Sequence, residues 1–508
     1  MMKSYKTLLL LLLCFPLFMG CKKDLISTNV DPDNVSSVSP SLIFSAVLVG
    51  STANDVSSNP GTYSMDMEPR TNYCHAFMQY GYSTFWSGTT YALSDAISSA
   101  YWNDFYTTVI KNIEYVIPVL KADPTLVNTY AAARIWRVFL YQKLTDFYGD
   151  IPYSQAAKAY SENIFAPAYD PQQQIYDSLI TELQTSESLF DATKEGVQGD
   201  QFYSGNITQW ERLGYSLLLR IGMRLVKVDP AMAATLVQQA VTGGVMQSNA
   251  DMPVLLHNAS APNGFWFNIQ DEHFYLHKTL VDFMKNTGDP RLAIYGAIHS
   301  GGNPTGSTVV STDTTQYIGY SFNASDPAPT VQVTYPIYQP ANTPFFDFEF
   351  AEVEFLLSEA VLRGYITGDA NAYYQNGITA DMQSLALLPT SPTITNAQIT
   401  AYLAQNPLVN PATPGVQGEI QQVNTQFWLA GFIFDADEVW ANWRRTGYPV
   451  LTPNPNTLTD GSNSPGVIPR KMPYPQSEFT LNSTNVNNAL KAYGGVNDFS
   501  GRVWWDAQ

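Results

Sequence analysis

Cysteine is almost absent from this 508-residue chain, which has only Cys14, Cys21 and Cys74. No framework of disulfides can hold a protein of this size, so its stability has to come from a large apolar core. Charge is scarce too. Asp, Glu, Lys and Arg make up 14% of the residues, against about 25% in an ordinary soluble protein. Acidic residues outnumber basic ones 44 to 26, a balance that disfavours nucleic acid and anionic lipid surfaces as partners. Beyond the N-terminus no apolar run reaches the roughly 18 residues of a transmembrane helix. Catalytic signatures are missing as well: there is no Gly-x-Ser-x-Gly elbow, phosphate loop, Gly-x-Gly-x-x-Gly or Cys-x-x-Cys. His273 and His277 have the spacing of a helical zinc pair, but Phe274 and Leu276 stand where zinc hydrolases carry Glu. They read as two histidines on a partly buried helix. Asp31-Pro32-Asp33-Asn34 lacks the central Gly and terminal Glu of a calcium loop and reads as a turn. Neither a metal nor a cofactor is expected.

What the chain does have begins at its N-terminus. Lys3 and Lys6 precede an apolar stretch, residues 7–18, that is too short to span a bilayer, and Phe18-Met19-Gly20-Cys21 follows. This resembles a bacterial lipoprotein signal, with Phe18 where Leu is usual. Cleavage before Cys21 would remove residues 1–20 and leave Cys21 to carry the lipid, since several acyl chains hold a protein at a membrane where one binds only marginally. The mature chain, residues 21–508, then has Cys74 as its sole thiol and a net charge more negative than the −18 of the whole sequence.

Aromatics make up 13% of the residues, including 31 Tyr and 10 Trp, among abundant neutral polar side chains. Flat apolar faces edged by neutral hydrogen-bonding groups suit carbohydrate or peptide ligands. Up to about residue 300 helical periodicity dominates. Phe105, Val109, Ile113 and Val116 make one helix face. Asp123-Pro124, Asp170-Pro171 and Asp229-Pro230 each look like an N-cap followed by proline at the first helical position. Further helices are predicted over 210–226 and 346–365. In the latter, Asp347, Glu349, Glu352, Glu354 and Glu359 read as a solvated face with a few salt bridges. Strand alternation is weak everywhere. The stretches 299–344, 388–418 and 449–475 are too long for ordinary connections. The rings threaded through the first, among them Tyr317 and Tyr320, argue for ordered excursions that build a surface.

A series of segments resembles the SusD/RagB family of nutrient-binding outer-membrane lipoproteins, in particular its SusD-like second branch. The segments run in order from Trp102-Asn103-Asp104-Phe105-Tyr106 through Ala133-Arg134-Ile135-Trp136, Tyr148-Gly149-Asp150-Ile151-Pro152-Tyr153, Trp210-Glu211-Arg212-Leu213 and Asp289-Pro290-Arg291. Ala351-Glu352-Val353-Glu354-Phe355-Leu356, Trp443-Arg444-Arg445-Thr446-Gly447-Tyr448-Pro449 and Arg502-Val503-Trp504-Trp505-Asp506 continue it to the C-terminus. The resemblance implies an all-α fold: a tetratricopeptide-like helix-hairpin scaffold, mainly residues 95–300 and 345–387, with a loop-rich ligand-binding region, mainly 299–344 and 388–508. It implies a lipid-anchored protein of the cell outer membrane, facing the exterior. Such a protein binds a glycan or peptide without turning it over and delivers it to a SusC-like TonB-dependent transporter. A surface-tethered hydrolase is the alternative. Tyr148 to Tyr153 and Arg220 are expected to fix a helix end and a buried ion pair.

Ligand aromatics in the family lie on loops, so the expected platform is drawn from rings in loop-like stretches of this sequence. Tyr82, Phe85 and Trp86 lie in Tyr82-Ser83-Thr84-Phe85-Trp86-Ser87-Gly88, and Phe265 and Trp266 in Asn263-Gly264-Phe265-Trp266-Phe267. Tyr317 and Tyr320, in the longest of the charge-poor loops and apart from any helical face, complete it.

Overall fold

A computed structural model describes residues 38–51, 69–83, 87–258, 263, 274–300, 308–334, 343–346, 348–389, 391–408, 415–432, 434–458 and 462–507. The principal helices are α1 (Pro40–Gly50), α2 (Ile110–Ala122), α3 (Val127–Tyr148), α4 (Gln172–Glu187), α5 (Ile207–Arg224), α6 (Pro230–Gly243), α7 (Lys278–Asn286), α8 (Phe350–Leu362), α9 (Ala370–Ser384), α10 (Asn396–Gln405), α11 (Val416–Ala430), α12 (Ala436–Thr446), α13 (Gln476–Leu481) and α14 (Ser483–Leu490). The fold is the all-α helix-hairpin architecture expected from the sequence. Helices adjacent in sequence pack side by side, α2 with α3, α3 with α4, α5 with α6 and α8 with α9, while α5 and α11 both lie against α8. One apolar core runs through all of them, from Phe44 to Trp505.

Local chemistry sets the helix ends. Asp229 caps α6 by accepting from the Met232 amide, with Pro230 in the first turn. Asp123 caps the short 3-10 turn Pro124–Leu126 that leads into α3. Asp170 departs from the pattern: its carboxylate accepts instead from the Tyr153 and Ser154 amides at 3.0 and 2.8 Å. The first amide of α4, that of Gln172, goes to Asp150 at 2.9 Å. Helix α3 stops at Gly149, whose φ of +81° suits glycine. A Cβ there would stand 2.2 Å from the Tyr493 hydroxyl. The Tyr148–Tyr153 segment thus fixes a helix end, as the sequence led us to expect.

The acidic residues of α8 are not a solvated face. Glu349, Glu352, Glu354 and Glu359 are all at most 6% exposed, because α5, α9 and α11 cover the helix from different sides; Asp347 lies outside the described residues. Buried carboxylates need partners, and the family-like arginines supply most of them. Arg220 forks onto Glu352 at 2.6 and 2.5 Å, and Arg445 onto Glu359 at 2.7 and 2.7 Å. Arg224 joins Glu438 to Asp146, and Arg291 holds Asp289 and Asp381. Burial raises the Glu359 carboxyl, but the opposing pull of Arg445, then Arg363, brings it down to about 2.

The weak strand signal conceals a small antiparallel sheet. It comprises β1 (Gly81–Tyr82), β2 (Tyr275–Leu276), β3 (Gly296–His299), β4 (Val309–Ser311) and β5 (Gln332–Val333), in the order β1-β2-β5-β3-β4. Strands of two to four residues are too short to show the alternation that identifies a strand. Their role is positional: the sheet ties residues 81–82, 275–276 and 332–333 together beside α7.

Candidate ligand-binding site

Tyr82 ends β1 with its Cα opposite that of Tyr275 on β2. Tyr320 lies in the loop between β4 and β5 and bridges to His277. Its amide donates to the Leu276 carbonyl at 2.8 Å, and its carbonyl accepts from the Lys278 amide at 2.7 Å. With both backbones fixed, the two tyrosine rings stack at 4.0 Å between centroids and 8° between planes, and both side chains are half-buried. Phe322 meets Tyr320 edge-on at 6.1 Å and lies 4.7 Å from the His277 ring. The Phe322 carbonyl is held by the Asn456 side chain at 3.0 Å, which fastens the loop to the C-terminal region.

The cluster is electrically neutral. Burial lowers the His277 imidazole to about 3, helped by Lys278, while its Nδ1 accepts from the Thr279 amide and caps α7. The anticipated shared helix face of His273 and His277 is therefore corrected: His277 stands before the helix, and His273 lies outside the described residues. Burial, then Tyr82, raises the Tyr320 hydroxyl to about 12, so it stays protonated. Lys278 is paired with Asp282 at 2.6 Å. Stacked rings with no free charge offer a flat apolar face, the geometry that accepts a sugar ring or a neutral side chain.

The other expected platform residues fare differently. Tyr317 is 2% exposed, and its hydroxyl donates to the Gly296 carbonyl at 2.6 Å. The expectation that its loop keeps it out of the core is corrected, because the loop folds back over β3. Phe85, Trp86, Phe265, Trp266 and the acylation candidate Cys21 lie outside the described residues. In the sequence Phe85 and Trp86 follow β1, and Phe265 and Trp266 precede β2. Phe322 escaped the sequence reading, although it stands two residues from Tyr320 and an alternating pattern would have paired them, and His277 enters that reading only as a helical histidine and not as part of the platform.

Beyond the sheet lie two adjoining hollows of about 440 and 460 Å³ that share Gln405 at the end of α10. Their walls carry the amides and hydroxyls of Gln398, Asn406, Gln422 and Thr425, and the first also includes Lys285 and Asp289. Gln421 and Thr425 stand four apart on α11, as do Gln422 and Gln426, a polar face legible in the sequence but not singled out. Among the described residues no three His, Cys, Asp or Glu side chains gather as a metal site, and no helix is long and apolar enough to cross a membrane.

Comparison with known proteins places this geometry in a family. Residues 32–475 match the SusD-like model described as starch-binding and associating with the outer membrane. A solved chitin-binding protein is 29% identical, with a TM-score of 0.77 over 92% of this chain and 100% of its own. A SusD-like protein from Bacteroidetes is 26% identical, with a TM-score of 0.77 over 93% and 100%. A SusD homologue from Bacteroides fragilis is also 26% identical, with a TM-score of 0.72 over 92% and 100%. No curated protein sequence matches. The chain belongs to the SusD-like family of starch-binding proteins that associate with the outer membrane.

Proposed function

We propose that this protein captures a neutral oligosaccharide on an aromatic platform centred on Tyr82 and Tyr320 and passes it, without cleaving it, to a SusC-like TonB-dependent transporter. The single observation that carries the reading is the parallel Tyr82–Tyr320 stack in a cluster without free charge. The membership of the family and the chitin-binding protein among its structural relatives supply the ligand class. Phe85 and Trp86, which follow β1 in the sequence, and Phe265 and Trp266, which precede β2, extend the platform in this proposal, while Tyr317 pins its loop to β3. A lipid on Cys21 tethers the protein to the outer membrane with its platform towards the exterior.

A chain with no membrane-spanning helix among its described residues needs a separate channel to move its cargo inward. A stable handover requires a broad contact, on the order of 1,000 Å² or more. Purified protein should bind neutral malto- or chito-oligosaccharides in calorimetric titration and release no reducing ends. Affinity purification from outer membranes in mild detergent should recover a TonB-dependent barrel with it. Failure to bind any neutral oligosaccharide overturns the ligand class, and recovery of the protein alone overturns the partnership.

A further inference from the structure

A third cavity, of about 490 Å³, opens between the N-terminal part of α8, the middle of α9 and the turn at residues 247–250. Its floor holds Glu354, 6% exposed, with Oε2 unpartnered. Among the described residues the side chain hydrogen-bonded to this carboxyl is Asn376, and no cation stands against it. This sets Glu354 apart from Glu352 and Glu359 on the same helix, each of which has an arginine fork. A carboxyl left half-bonded in a protein interior costs stability and calls for an explanation. Neighbouring groups deepen the anomaly. Asn249 uses its amide N–H to bond the Ala380 carbonyl at 2.8 Å, which leaves its Oδ1 buried and without a partner. Thr379 donates its only hydroxyl proton to the Gln375 carbonyl at 2.8 Å, so it offers lone pairs alone.

The floor thus presents three acceptors, one of them able to carry a full negative charge. A group that satisfies it brings several N–H donors and a positive charge. A primary ammonium does so with three donors on one atom. A calcium ion asks for about six to eight oxygen ligands, more than this floor provides.

We propose that this cavity is a second binding site, distinct from the aromatic platform, that takes the ammonium group of an unacetylated 2-amino sugar against Glu354, Asn249 and Thr379. The choice of an amino sugar rests on the glycan-binding function proposed above; the ammonium itself follows from the set of acceptors. Burial raises the Glu354 carboxyl to about 7, and a bound ammonium favours its ionised form, so ligand binding releases a proton from it.

The test titrates the full-length protein with the trimer of 2-amino-2-deoxyglucose and, separately, with its fully N-acetylated counterpart. Glu354→Gln should weaken binding of the amino trimer at least tenfold and leave that of the acetylated trimer unchanged. Equal affinity of wild type and variant for the amino trimer would overturn the proposal. A readout independent of the variant's folding is the infrared band of the protonated carboxyl in the wild type. At neutral pH glucosamine should remove intensity from it and glucose should not. An unchanged band refutes the ammonium site even if neutral oligosaccharides bind at the platform. Loss of the band with no binding of neutral oligosaccharides instead refutes the platform and leaves this site standing.

Discussion

Tyr320→Ala separates a ligand platform from a structural pin. The ring is half-buried, so truncation forfeits about half of the roughly 1.5–3 kcal/mol that full burial of a large side chain contributes. The loss of the stack on Tyr82 adds about 0.5–1.5 kcal/mol. The backbone bonds from Tyr320 to Leu276 and Lys278 do not involve the ring and survive. The cost in folding should therefore be about 1–3 kcal/mol, while affinity for a neutral oligosaccharide should fall about tenfold or more. Tyr317→Ala provides the contrast. It empties a site that is 2% exposed and strips the Gly296 carbonyl of its hydroxyl donor. The expected loss is about 3–5 kcal/mol for the cavity plus about 1 kcal/mol for the hydrogen bond, with affinity unchanged in the folded fraction. Denaturant unfolding read by tryptophan fluorescence gives the stabilities, and calorimetric titration with the longest malto- or chito-oligosaccharide that the wild type binds gives the affinities. A Tyr320→Ala protein that binds within twofold of wild type would refute the platform, whatever its stability.

Arg445→Met should destabilise the protein by about 3–5 kcal/mol, because it leaves the fully buried Glu359 without its bidentate partner. In a double-mutant cycle with Glu359→Gln, chemical denaturation should show strong coupling, and additive losses would contradict the ion-pair reading. Glu187 has both carboxyl oxygens buried and unpartnered, and burial, then Glu211, raises it to about 9. The folded protein keeps that proton where the unfolded chain has released it, so stability falls by about 1.4 kcal/mol per pH unit between about pH 5 and 9. Glu187→Gln should remove one proton's worth of this slope in unfolding midpoints measured across that range; identical profiles would refute the assignment. Cys21→Ala should leave a folded protein that no longer sediments with membranes, and its persistence in the outer-membrane fraction would exclude lipid as the sole anchor.

The parts of the fold that could be read from the sequence are those in which one period or one cap decides the outcome. The face of Phe105, Val109, Ile113 and Val116 is buried as the spacing predicted, and Asp229 caps its helix. Where two readings share one pattern, tertiary packing chose between them. The glutamates of α8 have helical spacing on either account. Whether that face meets water or arginines depends on α5 and α12, whose Arg220 and Arg445 arrive from 132 and 86 residues away. The sheet was invisible because its strands are held by neighbours distant in sequence: Gly81 pairs with Leu276, and Tyr275 with Gln332. The same long-range pairing brings Tyr82 onto Tyr320, so a list of loop aromatics named both rings without showing that they meet. It also draws Tyr317 inward, three residues from a ring that stays half-exposed.

Charge shows why the site is neutral. Arg70, Arg220, Arg224, Arg291, Arg444 and Arg445 are all at most 2% exposed, and most of them neutralise carboxylates inside the scaffold. A chain already poor in cations thus places many of them in its core, where Arg220, Arg224 and Arg445 each fix one helix against another. Lys278, the cation next to the Tyr82–Tyr320 stack in sequence, is paired with Asp282, and His277 is held uncharged by its burial. An anionic ligand would find no counterion at that cluster among the described residues, whereas a neutral one needs only ring faces and the amides and hydroxyls around them. The scaffold's use of arginine and the platform's preference for neutral ligands follow from the same distribution of charge.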